Sequence, residues 1–150
     1  MDVQSKKERE IPILLVDDDE DDVSLTRRAF EKGKILNRLY VARDGQEALD
    51  FLEHHGQYED TQVAPRPGII LLDLNMPGIN GRQVLAKIKA NEDLRRIPVI
   101  VLTTSDRDAD VRGCYAEGAN TFITKPVEFS RFLDAVCTLG KYWLRIAALQ

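Results

Sequence analysis

The sequence predicts an α/β protein built on a doubly wound, five-stranded parallel sheet. Five short apolar runs have the length of buried strands, and amphipathic segments with apolar residues at i, i+3 and i+4 lie between them. Elements that alternate in this (βα)5 order are typical of a parallel sheet with right-handed crossovers and helices on both faces. A chain of 150 residues, 43% of them hydrophobic, is sufficient for one domain with a single core.

The strands are predicted from four continuous apolar runs and one weaker run. The strong runs are Ile13–Val16, 69–72, 99–102 and Thr121–Thr124, and the weaker one is Leu39–Ala42. Five helices are predicted from their apolar faces, which consist of Val23, Leu25, Thr26, Ala29 and Phe30, then Ala48, Leu49, Phe51 and Leu52, then Val84, Leu85 and Ile88, then Val111, Cys114, Tyr115 and Ala119, and last Phe129, Phe132, Leu133, Val136 and Cys137. We expect a flexible N-terminal segment over residues 1–10, the folded domain over 11–140, and an extension of the last helix or a tail over 141–150.

Charge and cysteine content argue against several classes of protein. The formal net charge is −4, from 25 acidic and 21 basic residues, whereas nucleic-acid-binding domains normally carry a basic face. Cys114 and Cys137 form no C-x-x-C motif and are expected to be reduced thiols. Residues 1–10 lack the apolar core of a signal peptide, and no run approaches the ~18 apolar residues of a membrane span. The sequence therefore predicts a cytoplasmic protein that binds neither nucleic acid nor membrane.

Polar residues follow directly on four of the predicted strands. Asp17 and Asp18 follow the first strand, Asp73 the third, Thr103 the fourth and Lys125 the fifth. Ligands of open parallel sheets bind outside the carboxyl ends of the strands, so these five side chains are expected at one rim. Each residue alone has a common structural use, since an aspartate at a strand end is often a helix N-cap. Their joint placement favours a functional site.

The side chains predicted at this rim suit the binding of a divalent cation and a phosphoryl group. Two unit charges ~4 Å apart repel by about 4 kcal/mol at an effective dielectric of 20, so three neighbouring carboxylates require a cation. Oxygen-only ligands favour a hard ion such as Mg²⁺. Asp73 then stays ionised and nucleophilic, and a carboxylate nucleophile forms an acyl phosphate. Lys125 and Thr103 supply the charge and the hydroxyl that phosphoryl oxygens require.

Over residues 11–139 the chain resembles a CheY-like response-regulator receiver domain, on the spaced set Asp17-Asp18, Asp73, Thr103 and Lys125-Pro126. The resemblance implies a flavodoxin-like fold with strand order 2-1-3-4-5. It also implies that Asp73 accepts a phosphoryl group from the phosphohistidine of a histidine kinase. Mg²⁺ would be bound directly by Asp18, Asp73 and the backbone carbonyl of Asn75, and through water by Asp17. Mn²⁺ or Ca²⁺ could substitute for it.

The resemblance further implies a conformational switch. Lys125 would pair with Asp73 at rest and with the phosphoryl group afterwards, and its peptide bond to Pro126 is expected to be cis. Phosphorylation would draw Thr103 toward the phosphoryl group and let Phe122 turn inward. An ordinary role for Phe122 as a partly buried core residue is compatible with this. The surface that changes would be formed by the fourth predicted helix, the fifth strand and the fifth predicted helix.

Two features are similar to small regulators that partner phytochrome histidine kinases. They are the long loop at residues 56–68, with Tyr58, and the ending Lys141-Tyr142-Trp143-Leu144-Arg145. A histidine kinase of the bacteriophytochrome type is therefore the expected partner. The last apolar residues either cap the domain's own core or, together with the surface that changes on phosphorylation, form the interface of a homodimer. These residues are Trp143, Leu144, Ile146, Ala147 and Leu149.

Other functions match parts of the pattern. A haloacid-dehalogenase-type hydrolase also uses an aspartate nucleophile, a lysine and Mg²⁺, but its nucleophile lies on the first strand in an Asp-x-Asp pattern. A transcription factor is not expected, because it would need a DNA-binding segment after Gln150. His54 and His55 are expected to be a solvated pair rather than a metal or phosphohistidine site. We therefore expect a phosphoacceptor that assists its own phosphotransfer and dephosphorylation, acting as output regulator, relay or phosphate sink, rather than a turnover enzyme.

Overall fold

The computed structural model describes residues 5–60, 62–74, 76, 78–103, 118–119, 121–124 and 129–149. The elements within these ranges are, in order, α1 (Lys6–Glu10), β1 (Ile13–Val16), α2 (Glu20–Lys32), β2 (Leu39–Ala42), α3 (Gly45–Glu53), a 3₁₀ turn (Gly56–Tyr58), β3 (Ile69–Asp73), α4 (Gly81–Ala90), β4 (Val99–Thr103), β5 (Thr121–Thr124) and α5 (Phe129–Ala148). The fourth predicted helix, around residues 111–119, lies largely outside the described residues.

The five strands form one sheet in the order β2-β1-β3-β4-β5, and every pair is parallel. This confirms the predicted fold class and strand order. β1, β2 and β5 have the predicted bounds, whereas β3 and β4 each continue for one residue, to Asp73 and Thr103. The added residue places both side-chain positions at the end of a hydrogen-bonded strand rather than in a loop.

Apolar side chains cover both faces of the sheet. Residues of β1 alternate between the two faces, with Leu14 in one buried cluster and Ile13 and Leu15 in the other. The predicted apolar faces of α3 and α4 are confirmed, because Ala48, Leu49, Phe51, Leu52, Val84, Leu85 and Ile88 are all buried. Burying one such aliphatic or aromatic side chain contributes about 1.5–3 kcal/mol, so the two clusters supply most of the stabilisation.

The helices that leave the carboxyl edge of the sheet begin with polar caps. Asp19 caps α2 by accepting the N–H groups of Asp21 (2.8 Å) and Asp22 (3.3 Å). Asn80 and Gln83 form a capping box at the start of α4, in which each side chain accepts the backbone N–H of the other residue. These caps satisfy helix N–H groups that would otherwise lack partners.

The two ends of the chain pack against each other. α1, which was not predicted, contacts α5, and the Asn37 amide holds its end by donating to the carbonyl oxygens of Glu8 and Ile11. α5 runs unbroken to Ala148, with Leu144 fully buried and Trp143 packed against the same cluster. Residues 141–148 therefore continue the last helix, while the flexibility of residues 1–10 stays a prediction.

The loop between α3 and β3 is anchored at both of its ends. The Tyr58 ring lies edge-on to Phe51 at 5.1 Å, and its hydroxyl donates to Glu47 Oε1 at 2.7 Å. Burial, and secondarily this bond to the Glu47 carboxylate, raises the pKa of Tyr58 to about 12. His54 Nε2 bonds to the carbonyl oxygen of Ala64 at 2.8 Å, so the expectation of a fully solvated histidine pair is wrong for His54.

No helix in the described part of the chain has both the length and the apolar character needed to span a bilayer.

Candidate functional site

Three carboxylates meet where β1 and β3 end, and we call this group the acid rim. Asp17 and Asp18 follow β1, and Asp73 is the last residue of β3. β1 and β3 are paired in register up to Val16 and Leu72, so the next residue on each strand is Asp17 and Asp73. One carboxylate oxygen from each of the three aspartates lies within 4.8 Å of the other two. The structure thus brings together the three acidic residues predicted from sequence.

Two of these carboxylates are buried. The exposed fraction is 0% for Asp17 and 4% for Asp73, whereas Asp18 is exposed. Asp17 Oδ1 accepts the backbone N–H of Asp19 at 3.0 Å, and the Asp17 N–H donates to the Ala42 carbonyl at 3.0 Å. Carboxylates are costly to bury unless they are paired or bind a metal. Within the rim, Asp17 and Asp73 are therefore desolvated, whereas Asp18 faces solvent.

The donor set of the acid rim suits a hard divalent cation. Its three ligand groups all offer oxygen, and their spacing allows one ion to contact all three. A Mg²⁺ ion prefers six oxygens, so backbone carbonyls and water would have to supply the remainder. Asn75, predicted to supply a backbone carbonyl, lies outside the described residues.

Other predicted site residues are only partly visible. Thr103 ends β4, and because Asp73 pairs with Leu102, the Thr103 backbone lies at the same edge of the sheet as the acid rim. The position of Phe122 is known from the backbone of β5. The described part of the chain includes no side chain for Thr103 or Phe122, and it does not include Lys125 or Pro126. The roles of these residues and the cis peptide therefore stay predictions.

Gly81 is a positioning residue that the sequence pattern did not identify. It begins α4, and a Cβ added there would collide with the Asp73 carbonyl oxygen and lie 2.7 Å from Leu74 Cα. Its N–H donates to the Leu74 carbonyl at 3.2 Å. Only a residue without a side chain lets α4 approach the strand end this closely, which fixes the backbone that carries Asp73. The Asn80-Gly81 pair is a turn signal, but nothing in it indicates the close approach.

A cation also lies at this edge of the sheet. Arg43 follows Ala42, whose carbonyl accepts the Asp17 N–H, and Arg43 Nη1 forms an ion pair with Glu20 Oε1. The sequence pattern gave no signal for this pair, because the two residues are far apart in sequence and belong to different segments of the fold.

Comparisons with known proteins agree with this geometry. The profile of the family described as "Response regulator receiver domain" matches residues 13–137. Response regulator Rcp1 of Synechocystis sp. is 42% identical over 137 residues, which is 91% of this chain and 91% of Rcp1. The crystal structure of the phosphorylated cyanobacterial phytochrome response regulator RcpA superposes with a TM-score of 0.83 at 38% identity, over 90% of this chain and 94% of RcpA. The Mn²⁺-bound form of Rcp1 superposes with a TM-score of 0.81, over 89% and 94% of the two chains.

Proposed function

The chain belongs to the response regulator receiver domain family, and from this premise we propose that Asp73 is the residue that accepts the phosphoryl group. The protein is a receiver-type response regulator of two-component signalling. The observation that carries the proposal is the meeting of three carboxylates around the buried end of β3. Asp73 is the member of this set that ends a central strand, and α4 fixes its backbone from behind.

We propose that the divalent cation bound by this family is Mg²⁺ here, with Mn²⁺ or Ca²⁺ as substitutes. Asp18, Asp73 and the backbone carbonyl of Asn75 would bind the ion directly. Asp17 would act through a bound water, which agrees with its burial and with the use of one of its oxygens by the Asp19 N–H. When bound, the ion neutralises charge on the transferring phosphoryl group.

In the proposed reaction an Asp73 carboxylate oxygen attacks phosphorus of a kinase phosphohistidine. The new O–P bond forms as the P–N bond to imidazole breaks, and the histidine leaves as a neutral imidazole after taking a proton from water. The Lys125 ammonium and the Thr103 hydroxyl would bind phosphoryl oxygens and stabilise their charge. Hydrolysis of the resulting acyl phosphate, assisted by the same groups, returns Asp73 to its carboxylate form.

The output is proposed to be a change of surface. A phosphoryl group adds about −1.5 to −2 charges with three strong acceptors, and Thr103 and Phe122 would respond to it. The surface affected would be that of the fourth predicted helix, β5 and α5, with the Lys125–Pro126 peptide cis. This surface and residues 141–150 would form a homodimer. The domain itself is proposed to span residues 11–140.

The kinase partner is proposed to be a bacteriophytochrome-type histidine kinase, in the cytoplasm, without nucleic-acid or membrane partners. The support for this is the identity with Rcp1 and with RcpA, a phytochrome response regulator.

Phosphotransfer from a purified, ³²P-labelled bacteriophytochrome kinase tests the proposal. We expect stoichiometric labelling of the wild-type chain in Mg²⁺, loss of labelling in Asp73→Asn and in EDTA, and normal labelling in Asp93→Asn, a matched change at an exposed aspartate. Label that persists in Asp73→Asn would contradict the assignment. Repeated turnover of a phosphoester would instead favour a hydrolase.

A further inference from the structure

The ion pair beside the acid rim joins two segments that the proposed chemistry does not use. Glu20 is the first residue of α2 and follows Asp18 by two positions. Arg43 follows β2, directly after the residue whose carbonyl accepts the Asp17 N–H. Arg43 Nη1 contacts Glu20 Oε1, so the pair connects the start of α2 to the loop after β2 at the carboxyl edge of the sheet.

Arg43 is the more firmly held partner of this pair. Its backbone N–H donates to Glu47 Oε2 at 3.0 Å, and Glu47 Oε1 accepts the Tyr58 hydroxyl at 2.7 Å. Arg43 Nη1 is closed off from solvent and has no aligned hydrogen bond, so its contact with Glu20 is electrostatic. The exposed fraction of the side chain is 42% for Arg43 and 75% for Glu20. Glu20 is therefore the side chain with freedom to move if the contact is lost.

Glu20 is close in sequence to the acid rim, since it follows Asp18 by two positions at the start of α2. A glutamate two residues after a metal-binding aspartate has the reach and the charge to approach a divalent cation, directly or through water. Within the described residues, Arg43 is the cation that contacts it. We propose that Arg43 is a positioning residue that holds Glu20 out of the acid rim and thereby lowers the affinity of the site for divalent cations. The inference rests on the proposed metal site.

The test is a comparison of divalent-cation affinity in four full-length proteins. Isothermal titration with Mg²⁺, repeated with Mn²⁺, gives the dissociation constants of wild type, Arg43→Gln, Glu20→Gln and the double variant. Releasing Glu20 and removing the cation both favour the metal, so Arg43→Gln should bind about fivefold tighter. Glu20→Gln alone should weaken binding by less than about twofold, because it leaves Arg43 unpaired but largely screened by solvent. In the double variant most of the gain should disappear, which is a non-additive result.

Matched variants show whether metal affinity depends on the position of Arg43 and Glu20 or only on the net charge of the protein. Arg38→Gln removes the same charge at the other end of β2, and Glu31→Gln removes a carboxylate at the other end of α2. Both should leave metal affinity unchanged within about twofold, since charges more than a Debye length away are screened. Arg43→Lys keeps a cation near Glu20 and should restore most of the wild-type affinity. Thermal melts without metal show whether each variant is folded.

The outcomes distinguish this inference from the proposed function. A wild-type chain that binds neither ion, or an Asp18→Asn chain that binds as well as wild type, overturns the metal site and the inference together. Normal wild-type binding with an unchanged Arg43→Gln affinity overturns the inference alone. So does a Glu20→Gln chain that weakens binding as much as Arg43→Gln tightens it, because the two charges would then act independently on the metal.

Discussion

The carboxyl and amino edges of the sheet differ in the residues that lie at the ends of their strands. At the carboxyl edge, β1 and β3 lead into buried carboxylates with a polar, partly open rim. At the amino edge, Ile13 and Ile69 are buried, with exposed fractions of 2% and 1%. Backbone hydrogen bonds also join the segments there: the Gly68 N–H donates to the Pro12 carbonyl (2.9 Å), and the Ile70 N–H donates to the Pro98 carbonyl (3.0 Å). Among the described residues, the buried carboxylates lie at the carboxyl edge, while the strand starts at the opposite edge are buried and apolar. Changes at the two places should therefore have separable effects.

Leu14→Ala should produce the largest loss of stability. Leu14 is fully buried in the middle of the sheet, and a leucine-to-alanine change in a core costs about 2–5 kcal/mol of unfolding free energy. Urea denaturation measures this loss. The Mg²⁺ affinity of the folded protein should stay the same. A large fall in affinity would show that changes in the core and at the acid rim do not have separate effects.

Divalent cations should stabilise the protein through the rim alone. At a free Mg²⁺ concentration 100 times the dissociation constant, linkage adds about 2.7 kcal/mol to the unfolding free energy. Chemical denaturation with and without Mg²⁺ measures the gain. Asp18→Asn should remove most of it, whereas Asp21→Asn, a nearby change on the first turn of α2, should keep it. Equal gains in the two variants would place the ion elsewhere.

Gly81→Ala should affect both stability and the site. The added Cβ meets the Asp73 carbonyl and the Leu74 backbone, so α4 or the strand end must shift, at a cost of about 1–3 kcal/mol. Because the shift moves Asp73, phosphotransfer should slow as well. Gly56→Ala is the control for phosphotransfer, since its Cβ meets nothing within 4 Å and its positive φ of 60° costs stability without touching the rim. A Gly81→Ala protein with wild-type phosphotransfer would show that the close approach does not position Asp73.

Tyr58→Phe should have the smallest effect. It removes the hydrogen bond to Glu47, which contributes about 0.5–1.5 kcal/mol. The pKa of Tyr58 is raised in the folded state, from about 10 to about 12, so this contribution is present below pH 10 and declines as pH rises toward 12. Ultraviolet titration should show a late-ionising tyrosine in wild type that is lost in Tyr58→Phe. Glu47→Gln should lower that midpoint, and an unchanged midpoint would exclude Glu47 as a cause.

Patterns local in sequence predicted most of the fold and the acid rim. Apolar runs identified all five strands, and the rule for ligands of parallel sheets brought Asp17, Asp18 and Asp73 together before any contact was known. What was missed depends on partners distant in sequence. α1 has five residues and no buried face, and it is held by Asn37, a residue 29 positions from Glu8. The Arg43–Glu20 pair and the fit of Gly81 behind Asp73 likewise have no periodic signal.

The length of α5 has a mechanical consequence. Twenty helical residues span about 30 Å, so the helix that begins after β5 crosses the whole height of the sheet. Near its far end Ala147 lies beside Gly68, at the start of β3. An unbroken helix turns as one stiff rod, and a tilt of about 5° at the end near β5 would displace the other end by about 2.6 Å. A tilt of that size would therefore move the surface around Ala147, at the opposite end of the molecule from the acid rim.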